Sequence, residues 1–145
     1  METTDRARLF DQLKVDEGCA LHAYPDSKGI TTIGIGRNID FQHGGGITMD
    51  EALYLFQNDL AKVDRQLSAF EWYRDQDSVR QAALANMTFN LGINGLLHFP
   101  HFLSYMAEKD YANAIGELTN TPWHRQVGVR ADRIIKLIET GAWPT

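Results

Sequence analysis

The chain has 145 residues, 43% of them apolar and 10% aromatic, enough for one compact domain with a real core and too much for a disordered tail. Its net charge of −5 argues against general affinity for nucleic acid or anionic membrane, and its single cysteine, Cys19, excludes an internal disulfide, which fits folding in a reducing compartment. No apolar run approaches the ~18 residues of a membrane span, and the charged N-terminus METTDRARLFDQLK lacks the apolar centre of a signal peptide, so a soluble protein made in the cytosol is expected.

The first helix is read from about Thr4 to Asp16, with Leu9, Phe10 and Leu13 at helical spacing and Gly18 as its stop. Periodicity then changes. Pro25 and Gly29 bracket a turn and ITTIGIG alternates like a strand, so Ala23 to Phe41 reads as a small antiparallel sheet followed by a QHGGG loop. Thr48 and Glu51 form a capping box that opens a helix running to about Ser68, with Leu53, Phe56, Leu60, Val63 and Leu67 spaced three and four apart. The polar stretch from Trp72 to Asp77 is a candidate boundary between lobes. Ser78 and Gln81 repeat the capping signature, and Val79 to Leu91 reads as the most buried helix, stopped by Gly92. Shorter helices follow at Pro100 to Glu108, Asp110 to Thr119 and Arg130 to Thr140, with Pro122 and Gly128 as breaks. The arginines and Lys136 outnumber the acids between Trp123 and Gly141, chiefly a solvated helix face with a local basic character.

The stretch DEGCALHAYPDSKGITTIGIG, Asp16 to Gly36, concentrates chemistry. A dinucleotide fingerprint fails there, because Ile39 stands where a third glycine is needed and strand and loop follow in place of a helix. Cys19 with His22 forms a common accidental pair, and Cys19 is better explained as a small buried side chain. His98 and His101 have no third metal ligand nearby, and Pro100 makes a regular helix there unfavourable, so both read as loop histidines and no metal or cofactor is expected. Acid–base hydrolysis fits better. Cleaving a glycosidic bond takes one carboxyl that delivers a proton and another that stays ionised. Glu17, beside Gly18 at a helix end, suits the desolvated acid, and Asp26, in the polar turn PDSKG, suits the ionised partner. Thr32 can hold a water between Asp26 and a sugar, while Gly34 and Gly36 leave room for a bulky polymer near the backbone. Spacing alone leaves this reading open beside the ordinary one of surface acids around a hairpin and a strand-forming threonine.

The same residues resemble the active-site segment of the phage-type lysozymes, the T-even bacteriophage endolysins. The resemblance rests on Glu17-Gly18, on Tyr24-Pro25-Asp26, and on Thr32-Ile33-Gly34-Ile35-Gly36 at the family's spacings. It continues through GITMDEALYLF, VRQAALANMTFNLG, TPWHRQ and RADRIIKLIETGAW, in the family's order. It implies an α+β, mostly helical fold of two lobes. The N-terminal lobe spans residues 15–55 plus the first helix, an inter-lobe helix spans 49–68, and a helical C-terminal lobe spans 78–145. It also implies a muramidase that cuts the β-1,4 bond between N-acetylmuramic acid and N-acetylglucosamine, with inversion and the two carboxyls roughly 6.5–9.5 Å apart. By residue, Glu17 matches the family's general acid, Asp26 its second carboxylate and Thr32 its water-positioning hydroxyl. Phe89 and Asn90 match groove-lining positions, and Arg130 matches an arginine that approaches the catalytic glutamate. The partner implied is the peptidoglycan glycan strand, met by a monomer that waits in the host bacterial cytoplasm for a holin, without stable membrane association. A catalytically silent peptidoglycan-binding module and a part of a tail spike or toxin are the competing readings.

Four positions depart from the family pattern. Arg37 replaces an ion-pairing histidine, Asn38 an apolar groove residue, and Phe102 and Glu117 small or amide polar substrate contacts, so those interactions are not carried over. The segment between Asn38 and Gly46 is short and is expected to lack a helix. The acidic balance is also unusual for an enzyme that works on an anionic wall.

Overall fold

The computed structural model describes residues 3–145, the side chain of Asp5 excepted. It is mostly helical with one three-stranded antiparallel sheet, the α+β class expected. The chain forms two compact units, Met1–Tyr54 and Leu55–Thr145. Among the described residues no helix is long and apolar enough to cross a membrane.

In the first unit, α1 (Thr3–Glu17) stops at Gly18, whose φ of +74° suits a residue without Cβ. Three strands follow as a meander, β1 (Ala20–Pro25), β2 (Thr31–Gly34) and β3 (Arg37–Asn38), three residues earlier in the chain than the alternation predicts. Thr32 sits on the central strand, opposite Tyr24 on β1 and Asn38 on β3. Cys19 is exposed, against expectation: it lies in the two-residue link between α1 and the edge strand β1. After β3 only a short 3₁₀ turn forms, Phe41–His43, as the brevity of that segment predicts. The next helix, α2 (Met49–Leu67), opens with the predicted capping box in full. Thr48 Oγ1 accepts from the Glu51 amide at 3.2 Å, and Glu51 Oε2 accepts from the Thr48 amide at 2.8 Å.

The second unit continues with α3 (Glu71–Arg74), α4 (Ser78–Leu97), α5 (Pro100–Ala107), α6 (Tyr111–Leu118), α7 (Pro122–Val127) and α8 (Val129–Thr140). Its core centres on α4, whose Ala83, Leu84 and Met87 are fully buried with Leu67, Leu96, Met106, Leu118 and Ile134. Gly92 does interrupt α4 as expected, with φ 74° and ψ 162°, but a further helical turn follows it and carries the buried Leu96. The residues 72–77, read as a boundary, carry α3 and lie inside this unit.

Three expectations are corrected here. The cap of α4 is Asp77, whose Oδ1 accepts from the Val79 and Arg80 amides; a carboxylate competes well with the hydroxyl of Ser78 for that place. Gln81 instead donates to the carbonyl of Tyr73. Pro122, read as a break, opens helix α7, because a proline at the first helical position loses no intrahelical bond, and Pro100 opens α5 where the helix from Pro100 to Glu108 is expected. His101 therefore lies in a helix, while His98 caps the end of α4.

Candidate active site

Asp26 and Thr32 are built onto one residue, Ile30. The turn after β1 brings the Asp26 amide to the Ile30 carbonyl at 2.9 Å, and Gly29, at φ +78°, donates to the Asp26 carbonyl. Asp26 Oδ1 then accepts from the Lys28 amide at 2.8 Å and from the Ile30 amide at 2.9 Å. This is an Asx turn of the kind that a PDSKG sequence favours. Both bonds fall on Oδ1, and among the described residues Oδ2 receives none. The Thr32 hydroxyl donates to the same Ile30 carbonyl at 2.9 Å. Thr32 is 5% exposed, the one buried residue among those described in the first unit, so its hydroxyl keeps one orientation.

Glu17 reaches the site region by another route. The β2–β3 turn places Gly34 and Gly36 at φ +67° and +69°. A Cβ on Gly36 would lie 2.9 Å from Glu17 Oε2 and 3.1 Å from its Cδ, so the carboxylate rests against a backbone that only glycine leaves open. Gly34 has no such neighbour within 4 Å. Glu17 itself is exposed, not desolvated as its place on the helix suggested. The turn after β1 therefore ties Asp26 to Thr32 at the start of β2 through Ile30, and the next turn lies against the side chain of Glu17 at the end of α1.

Arg37, one residue beyond Gly36, does form an ion pair, though not one carried over by the resemblance. Its Nη2 lies 2.7 Å from Glu51 Oε1 and its Nη1 donates to Glu51 Oε2 at 2.8 Å. Arg37 and the Thr48 amide together hold the Glu51 carboxyl down at about 2. Asn38 is consumed by the loop: its Oδ1 accepts from the Asp40 amide at 2.8 Å and its Nδ2 donates to the His43 carbonyl. Neither partnership is visible from spacing, although the capping box had already marked Glu51.

The remaining candidates lie in the second unit. Phe89 is 44% exposed and packs on Phe56 with ring centroids 5.9 Å apart. Phe89 and Arg130 line one cavity of about 390 Å³ with Phe56, Leu60 and Asn86. Arg130 donates from Nε to Asn86 Oδ1 at 3.0 Å and from Nη2 to the Asn86 carbonyl at 3.1 Å. Asn90 turns elsewhere, and its Oδ1 accepts from Trp123 Nε1 at 2.9 Å. Phe102 is 1% exposed and belongs to the core, whereas Glu117 is exposed.

Comparison with known proteins bears on the family of the chain. Residues 14–136 match the family model described as phage lysozyme. The chain is 32% identical to probable T4-type lysozyme 1 of Dictyostelium discoideum over 160 aligned positions, covering 92% of this chain and 94% of that protein. A second Dictyostelium protein, probable T4-type lysozyme 2, is 31% identical with the same coverage. The pre-baseplate central spike protein Gp5 of Enterobacteria phage T4 is 32% identical across 92% of this chain but only 28% of its own length. A family model spanning most of the chain and relatives covered nearly end to end lead to one assignment: this chain belongs to the phage lysozyme family and is a glycoside hydrolase.

Proposed function

We propose that the protein is an endolysin muramidase that hydrolyses the β-1,4 bond between N-acetylmuramic acid and N-acetylglucosamine in peptidoglycan, with inversion, to lyse the host cell. Glu17 is the general acid, and it gives its proton to the glycosidic oxygen as the bond to the muramic-acid anomeric carbon breaks. Asp26 is the general base toward a water on the opposite face of the sugar, and Thr32 holds that water. The water oxygen forms the new bond to the anomeric carbon, and its proton passes to Asp26. Phe89 offers an aromatic face to the glycan and Arg130 a guanidinium. Asn90, with its oxygen committed to Trp123, keeps its amide N–H groups to donate.

The observation that carries this reading is the hydrogen-bond state of Asp26 and Thr32. The hydroxyl proton of Thr32 is spent on Ile30, and Asp26 has Oδ2 open, which leaves both with acceptor capacity for a water. A water bound through its two hydrogens presents a lone pair outward, the orientation that a nucleophile needs. The exposure of Glu17 fits an acid that loses its solvent only when the glycan covers it.

The test is release of reducing sugars from purified peptidoglycan. Wild type is expected to release them and Glu17→Gln to release none; activity surviving in the variant would remove Glu17 as the acid. Proton NMR of fresh product is expected to show the α-anomer first, and a β-anomer would refute inversion. Silence of both proteins would favour the binding module. The likeness to Gp5 supports a second setting for the same chemistry, a lysozyme unit within a virion spike. Immunoblots of purified virions separate the two, because a free endolysin that leaves the host cytoplasm through a holin is absent from them.

A further inference from the structure

We infer that Asp40 is a positioning residue for hydrolysis, holding the end of β2 on which Asp26 and Thr32 are set. The inference rests on the assignment of those two residues above. The third strand is only two residues long, so the ladder of β2 would end at Thr32, opposite Asn38. The chain extends it by one residue with a side chain. Ile39 donates its amide to the Thr31 carbonyl at 2.9 Å, and the Thr31 amide donates to Asp40 Oδ2 at 3.2 Å. The carboxylate thus takes the place of a strand carbonyl. Thr31 is flanked by Ile30, which holds Asp26 and Thr32, and by Thr32 itself, so whatever fixes Thr31 fixes both.

The loop is built to hold this carboxylate. Asp40 Oδ1 accepts from the Gln42 amide at 3.0 Å and lies 3.2 Å from His43 Nδ1. Its backbone is clasped as well: its amide donates to Asn38 Oδ1, and its carbonyl accepts from Gly45 at 2.7 Å and from His43 at 3.1 Å. Gly45 has no room for a Cβ, which would meet the Asn38 side chain and the Asp40 backbone. The Asp40 side chain is 15% exposed. The Thr31 amide, and after it the His43 ring, hold its carboxyl below the usual range, so it stays an acceptor. A loop serving only to join β3 to α2 has no need of a carboxylate bonded across to the central strand.

The experiment compares Asp40→Ser, Asp40→Asn, Asp26→Asn and Phe41→Ser with wild type on soluble peptidoglycan fragments. Serine still caps Gln42 but is too short for Thr31, and asparagine has one acceptor where two are used. Phe41, 93% exposed in the same turn, controls for disturbance of the loop. The expected result is a fall in kcat of about tenfold or more for Asp40→Ser, with KM within about twofold, since misplacement of reacting groups by ~1 Å costs ~10²-fold. Hydrogen exchange at the Thr31 amide should accelerate while Phe41→Ser behaves as wild type. Wild-type kcat with an accelerated Thr31 amide would overturn the inference, as would a loss that only follows the unfolded fraction. Asp40→Asn is read by the same criteria if the serine variant does not fold. If Asp26→Asn is inactive and Asp40→Ser is not impaired, the positioning role alone falls. If Asp26→Asn keeps full activity, the site assignment falls and takes this inference with it.

Discussion

The sharpest test of the site compares two glycines in one turn. Gly34 and Gly36 both have left-handed backbones, at φ +67° and +69°, but only Gly36 has the Glu17 carboxylate against its α-carbon. Alanine at either position costs about 1–2 kcal/mol for the left-handed conformation, partly offset by a stiffer unfolded chain. At Gly36 the new methyl would stand 2.9 Å from Glu17 Oε2, where carbon and oxygen need about 3.5 Å, so the carboxylate must withdraw by roughly half an ångström or more. Glu17 is exposed and flexible enough to move at little cost in stability. Its aim is what changes. Urea unfolding should therefore give nearly equal destabilisation for the two variants, while Gly36→Ala loses about 10–100-fold in kcat and Gly34→Ala little. Equal activity losses at matched folded fractions, or full activity in Gly36→Ala, would refute the argument.

Glu51→Gln should lower the melting temperature at neutral pH by removing the charge that pairs with Arg37, while the glutamine oxygen can still accept from the Thr48 amide. The folded carboxyl is depressed from 4.5 to about 2, so its contribution is complete above the unfolded value and disappears as pH falls through that window. The gap between variant and wild type should close between about pH 4.5 and 2, and a gap independent of pH would remove the ion pair from the account. Leu84→Ala, at a fully buried position on α4, should destabilise the second unit by about 2–5 kcal/mol in urea titrations; a change below ~1 kcal/mol would mean a poorly packed core. Trp123→Phe removes the donor to Asn90 and should raise KM with kcat retained, which a KM equal to wild type would contradict. Added from outside to untreated Gram-negative cells, this acidic protein should lyse weakly, and efficient lysis would show that net charge does not limit its approach.

Local rules carried the sequence reading a long way. Gly18, Gly92 and Gly141 end or interrupt helices where the pattern predicts, and the Thr48–Glu51 box closes with both of its bonds. The errors have local causes too. Asp77 displaced Ser78 as a cap because it stands one residue ahead with a stronger acceptor. Pro122 was read as a break although Thr121, whose Oγ1 accepts from the His124 amide, marks it as a helix start. Residue types and spacings single out Asp26 and Thr32 as candidates but say nothing of their shared partner Ile30, since any residue supplies that N–H and C=O. The seat of Glu17 on Gly36 and the reach of Asp40 to Thr31 join positions far apart in sequence through backbone geometry, which no periodicity records.

Arg80 joins the start of α4 to the end of α8. From the first turn of α4 its guanidinium pairs with Asp77 at 2.6 Å and stacks 3.8 Å over the Tyr111 ring. It also donates to the Ile138 carbonyl at 2.8 Å, where α8 ends in Gly141. Tyr111 in turn holds the buried Gln76. These partners lie up to 58 residues from Arg80, so on a ribosome the arginine waits for most of the helical unit to be synthesised before its clasp can shut. A nascent chain paused before α8 would keep α4 exposed on the side that α8 covers, a state open to chaperones and proteases until the last turn emerges.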